Sequence, residues 1–236
     1  MLYQFYSEIN FPNGQKMTYG KKINIAFQKK GQEGLSVIFG EISDEMVNNF
    51  TPQGFDTIMV WLGHTLYPLA LTIDIGGKIQ SVANWEEVKE RCGKESKRII
   101  AYYENASSVR DYVEVSLKNI SSEESFIKSI EQSNIFQVIR IGLLHKDSFY
   151  YDIPDFPSAS QYCSLSFQKK RENEYNEMTY VASDERTDDI VMSKTGQIYV
   201  QRDDKEFINI IQMQCKMEIA NEGYYVRRIE IKRIEE

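Results

Sequence analysis

Apolar and polar residues alternate over several stretches of this chain, and those stretches predict strands. Ile23, Ile25 and Phe27 alternate with Asn24, Ala26 and Gln28, the two-residue period of a strand with one buried face. After a loop over residues 29–34, the run 35–39 returns as a second strand. Residues 57–62 and 66–75 read as further strands, separated from the first pair by a Pro52-bearing excursion over 48–54. Gly76-Gly77 supplies the left-handed backbone of a hairpin leading into 78–82. Later, Cys163, Leu165 and Phe167 take alternate positions. The clearest pattern closes the chain: Met213, Cys215, Met217 and Ile219 alternate with Gln214, Lys216 and Glu218. Asn221-Glu222-Gly223 then turns the chain into 225–234, with Ile229 and Ile231 inward, a C-terminal β-hairpin.

The middle has a helical period. Asn84-Trp85-Glu86-Glu87 resembles a capping box, with Asn84 accepting from an orphan N–H and Glu87 reaching back. Val109, Tyr112, Val113 and Leu117 share one helical face. Ser121-Ser122-Glu123-Glu124 opens a further helix carrying Phe126, Ile127 and Ile130. Two or three helices are therefore expected between about residues 85 and 133. Residues 135–144 are apolar without a decisive period, and the proline-bearing stretch 150–158 reads as a connector.

A faint echo links the two strand-rich regions. Ala26-Phe27-Gln28-Lys29-Lys30 returns as Ser166-Phe167-Gln168-Lys169-Lys170. The Gly76-Gly77 hairpin has a counterpart in Thr195-Gly196-Gln197-Ile198, and Asn84-x-x-Glu87 one in Asp203-x-x-Glu206. The resulting expectation is an α+β protein of one domain over 1–236. It is β-rich over 1–83, helical over 84–134 and β-rich over 135–236. Its large curved antiparallel sheet carries the central helices on it, and the echo raises a two-fold internal repeat closing toward a half-barrel.

Composition narrows the class of function. With 42% hydrophobic and 27% charged residues the chain is ordinary for a globular protein, not a disordered one. The 28 Lys and Arg against 35 Asp and Glu give a net charge of −7, which disfavours nucleic acid and favours a basic protein partner. The tail's Arg227, Arg228, Lys232 and Arg233 are interspersed with glutamates. Residues 1–8 lack the basic and apolar regions of a signal peptide, and no apolar run is long enough to span a bilayer. Cys92, Cys163 and Cys215 are odd in number and dispersed, as in a reducing compartment. The expected location is the cytoplasm, with no membrane association.

Candidate chemistry is sparse. His64 and His145 have no partner His or Cys at ligand spacing, so neither a metal nor a cofactor is expected. Cys92 lies among Arg91 and Lys94, whose charges favour a thiolate, yet it also suits a small packing position. The acidic run 183–189 lacks the glycine and terminal Glu of a calcium loop. Gly76-Gly77-Lys78 lacks the spacing of a phosphate-binding loop. What stands out is 15 Tyr and 12 Phe, side chains suited to interfaces and pocket walls. Tyr102, Tyr103, Tyr150, Tyr151, Phe156, Tyr224 and Tyr225 cluster at expected element ends and are the candidate partner- or ligand-binding residues.

The leading expectation is a non-catalytic protein-binding factor, such as an immunity-type inhibitor or an accessory subunit that masks a partner. A carrier or sensor of an amphiphilic small molecule in the sheet's concave face is the alternative. An enzyme is the third reading, and it requires His64 or His145 to meet carboxylates in a pocket.

Overall fold

The computed structural model describes residues 1–30, 34–143, 146–154, 156–157, 162–173, 176–184 and 191–234. Three strands come first: β1 (Leu2–Asn10), β2 (Lys16–Lys30) and β3 (Gly34–Val47). Helix α1 (Phe55–His64) follows, then β4 (Leu69–Asp74) and β5 (Ile79–Val82). Helices α2 (Trp85–Tyr102), α3 (Ser107–Asn119), α4 (Glu123–Glu131) and α5 (Asn134–Leu143) occupy the centre. The chain ends with β6 (Ser148–Pro154), β7 (Tyr162–Glu172), β8 (Glu177–Asp184), β9 (Val191–Arg202), β10 (Ile208–Ile219) and β11 (Gly223–Arg233). The strands form one antiparallel sheet, ordered β5-β4-β3-β2-β1-β11-β10-β9-β8-β7-β6. It is not closed, and β5 and β6 are its edges. Among the described residues no helix is long and apolar enough to cross a membrane.

The α+β class is as expected, but five helices form among the described residues where two or three were expected. Residues 57–62 are helical in α1, not a strand. Ile58 and Leu62, one turn apart, are both buried, and Phe55 and Met59 lie partly exposed at the edge of the same stripe, a 3.6-residue period that the apolar run conceals. The ambiguous run 135–144 resolves as α5 over its described residues. The connector expected over 150–158 is largely strand, because Tyr151 and Ile153 point inward and Tyr150 outward along β6.

Two landmarks of the echo take different places. Gly77, at φ 80°, sits in a turn, where Gly77 N–H donates to Asp74 C=O at 3.0 Å and Asp74 N–H to Lys78 C=O at 3.0 Å. The loop therefore has three residues, with one left-handed glycine, where two were expected. Gly196 lies inside β9, paired with Cys215 and Ala182, and makes no turn. Asn84 precedes α2 whereas Asp203 lies in the β9–β10 turn. The hairpin correspondence behind the repeat is absent.

The chain divides into two compact units: Met1–Leu2 with Lys22–Glu131, and Tyr3–Lys21 with Gln132–Glu236. In the first, Ile25, Val37, Phe39, Leu71 and Ile73 fill the sheet side of the core. A second cluster lies among the helices, where Ile58, Leu62, Ile99, Val109 and Val113 meet. The edge strand β5 is covered by carboxylates of α4: Glu123 accepts from Val82 N–H at 2.7 Å and Glu131 from Ile79 N–H at 3.2 Å. Asn84 stands at the α2 N-cap, but its side chain does not cap. It accepts from Ala70 N–H at 2.9 Å and donates to Pro68 C=O at 2.7 Å, tying the helix to β4.

In the second unit α5 packs on the sheet through Phe136, Val138, Ile139 and Ile141. Gly142 permits that approach, since a Cβ there would collide with the side chains of Ile211 and Ile208. Buried Arg202 donates to Gly142 C=O at 2.8 Å, placing a cation at the negative end of the helix. The C-terminal hairpin is as expected, with Met213, Cys215, Ile229 and Ile231 buried and Asn221 and Gly223 at positive φ.

Candidate functional site

Helix α1 carries Phe55, Ile58, Met59 and Leu62 on one broad stripe, and that stripe builds the site. Gly54, at φ 56°, turns the chain into the helix, and Thr57 donates from its hydroxyl to Pro52 C=O at 3.1 Å. Ile58 and Leu62 then anchor the inner face. The other edge of the same stripe presents Phe55, 42% exposed, and Met59, 37% exposed, one turn apart. Phe50, 70% exposed, precedes them in the turn bridged by Val47. The Phe55 ring meets Tyr112 of α3 edge-on at 5.1 Å. Asp56 lies in the first turn of α1, and Asp111 of α3 is exposed.

Beneath Met59 the four helices of this unit leave a cavity of about 180 Å³. Its apolar wall includes Met59, Leu62, Tyr112, Leu117 and Phe126. Thr65, Cys92, Ser96, Ser116, Asn119 and Ser129 also line it, and the hydroxyls of Thr65 and Ser116 are spent. Thr65 donates from its hydroxyl to Leu62 C=O at 2.6 Å and lies 2.9 Å from Cys92 Sγ. Ser116 donates to Tyr112 C=O at 2.9 Å. Ser96 differs from these two: it is 2% exposed, and its buried hydroxyl makes no hydrogen bond among the described residues. Burial pushes the Cys92 thiol and the Tyr112 phenol up, so neither is prepared to ionise. Among the described residues, none lining this cavity carries a charge.

His64 ends α1, and its Nε2 pairs with the Glu45 carboxylate of β3. The pair does not line the cavity, and the imidazole is partly exposed. His145 lies outside the described residues, as does the acidic run from 185 to 189. Among the described residues no group of three or more His, Cys, Asp or Glu could hold a metal ion.

The seven aromatic candidates scatter. Tyr102 is exposed at the end of α2 and meets the Tyr103 ring at 4.8 Å, while Tyr103 packs on the helical cluster. Tyr150 is 78% exposed on β6, but its neighbour Tyr151 is fully buried. Burial drives the Tyr151 phenol strongly upward. Phe156 is likewise fully buried, so these two are core residues with no surface to offer a partner. On β11, Tyr224 lies under the Lys216 ammonium at 3.5 Å, and Tyr225 donates to Glu222 at 2.6 Å. Adjacent strand residues face opposite ways, so each strand doublet splits between two surfaces. Phe55, Met59 and Ser96 were not singled out from sequence. Reading 57–62 as a strand concealed the first two, although the spacing of Phe55, Ile58, Met59 and Leu62 fits a helix. Compared with known proteins, the chain matches no family model and no curated sequence at a significant level.

Proposed function

We propose that this protein is a non-catalytic protein-binding factor in the cytoplasm, an immunity-type inhibitor or accessory subunit that masks a basic partner. The carrying observation is the ridge of Phe50, Phe55 and Met59, large apolar side chains held toward solvent on and beside one helix. Removing such groups from water is the main source of affinity at interface centres, and aromatic anchors dominate it. The net charge of −7 favours a partner with a cationic rim. Three buried, free cysteines fit a reducing compartment.

The test uses the full chain as bait in its own cells, followed by identification of the retained protein and titration of the purified pair. A basic protein should bind the parent and a Tyr150→Ser control alike. The Phe50→Ser/Phe55→Ser double variant should bind at least about tenfold more weakly, the loss expected for two truncated aromatic anchors. Higher salt should slow association. A partner indifferent to the double variant, or no specific partner at all, overturns the proposal.

A further inference from the structure

We infer that the open edge of β6 joins the same edge of a second copy of this chain, the two strands pairing antiparallel across a two-fold axis at Tyr150. The edge strands β5 and β6 differ in how they are finished. On β5, the N–H groups of Val82 and Ile79 donate to the Glu123 and Glu131 carboxylates of α4, so they recruit no further strand. β6 has no such cover among the described residues. It pairs with β7 without a bulge, and its one proline, Pro154, is its last residue. An edge left in this state is a template for another strand.

Register decides which backbone groups that template offers. Lys169 N–H donates to Asp147 C=O at 2.7 Å, which makes these opposed residues a hydrogen-bonded pair. The alternation then gives the pairs Phe149/Phe167, Tyr151/Leu165 and Ile153/Cys163 to β7. The N–H and C=O groups of Ser148, Tyr150 and Asp152 therefore point away from β7, and none of them makes a hydrogen bond among the described residues. Their side chains lie on the solvent face, with Tyr150 78% exposed, while Tyr151 and Ile153 are buried. An antiparallel copy centred on Tyr150 engages all three residues. Tyr150 then faces its own counterpart as an aromatic cross-strand pair, and Ser148 faces Asp152. The Asp152 Oδ1 accepts from the Ser164 hydroxyl at 2.5 Å, leaving Oδ2 for the hydroxyl of the second copy's Ser148. A register centred on Asp152 would instead oppose two carboxylates. This self-complementarity selects a second copy over an unrelated strand.

Sedimentation velocity of the purified full chain over a concentration series measures the association. So short a ladder belongs with the smallest and weakest interfaces, so the dimer should dissociate with a constant on the order of 0.1 mM. Two copies of net charge −7 repel, so the dimer should tighten as salt rises. Tyr150→Pro removes an N–H that β7 does not use, and it should weaken the dimer at least about tenfold. Ser148→Lys sets a cation opposite Asp152 at both ends of the ladder and should tighten the dimer about fivefold, whereas Ser148→Asp should loosen it as much. These two variants leave the β6–β7 ladder alone, so their opposite signs decide the matter even if Tyr150→Pro fails to fold. A chain that stays monomeric up to about 1 mM overturns the proposal, as does a dimer indifferent to a folded Tyr150→Pro. Ser148 variants that shift the dimer in the same direction, or not at all, overturn the register. Only the chain itself is present, so the outcome stands apart from that of the ridge and its partner.

Discussion

A Cβ placed on Gly196 in β9 would lie 2.5 Å from Phe167 Cζ, whereas one placed on Gly63 in α1 meets no atom within 4 Å. The first glycine belongs to the strand-rich unit, where the ring of Phe167 and the side chain of Leu165 press directly on the β9 backbone. The second belongs to the helical side of the other unit, where packing stops short. The contrast teaches where this protein has room to bind something. Sheets held by ladders on both sides can close over a glycine. Helices α1 to α4 leave space instead. The largest expected effect tests the tight side: Gly196→Ala should destabilise the protein by about 3 kcal/mol, because an aromatic ring fixed between β6 and β8 cannot yield as a flexible chain would. Denaturant unfolding measures this, and a loss below about 1 kcal/mol would remove one side of the comparison.

Polar burial separates the same two regions. Glu8 of β1, though only 5% exposed, is met by Lys16 at 2.6 Å, Arg228 at 2.9 Å, Asn10 at 2.6 Å and Tyr6 at 2.9 Å. Burial alone would raise its carboxyl. The hydrogen bonds from Lys16, Asn10 and Tyr6 outweigh that and hold it at about 2, well below the ordinary 4.5. Because the folded value is depressed, the contribution is complete above about pH 4.5 and is lost as pH falls from 4.5 toward 2. Allowing for screening of the half-exposed Lys16 and Arg228, Glu8→Gln should cost on the order of 2 kcal/mol at neutral pH. It should also flatten the acid limb of the stability curve in that window. An unchanged acid limb would show that Glu8 is not held this way. Ser96 has none of these partners: its hydroxyl is buried and makes no hydrogen bond among the described residues.

The strands were legible wherever one face meets the core and the other meets water. Met213, Cys215 and Met217 against Gln214, Lys216 and Glu218 needed no tertiary information, because burial on one face imposes a two-residue period. Val109 and Val113 were legible in the same way at helical spacing. Legibility failed where apolar residues run together without a break. In α1 the run from Ile58 to Leu62 reads as a strand, and that run hid the helix whose one stripe buries Ile58 and Leu62 and leaves Phe55 and Met59 partly exposed. The tyrosine doublets misled for a related reason: adjacency in sequence became opposite faces in β6, leaving Tyr150 outside and Tyr151 within. Ser96 could not be found from sequence at all. A serine four residues after Cys92 reads as an unremarkable helix position, and only the packing of four helices reveals that its hydroxyl is unused.

The smallest expected effect sharpens the loose side of the comparison. In α1, Gly63→Ala adds one methyl group where nothing stands within 4 Å, so there is no overlap to relieve. Alanine also restricts the unfolded chain more than glycine does and favours the helical backbone. Gly63 lies in the last turn of α1, where fraying halves the usual benefit, so the expected gain is about 0.5 kcal/mol. Thermal unfolding with the parent as reference resolves a shift of this size as one to two degrees. A gain means that the end of α1 is helical and unobstructed, and that the cavity is a property of the folded chain and not of a loosely placed helix. A loss of similar size would mean that the helices close over Gly63 in solution, and the contrast with Gly196 would then be one of degree alone.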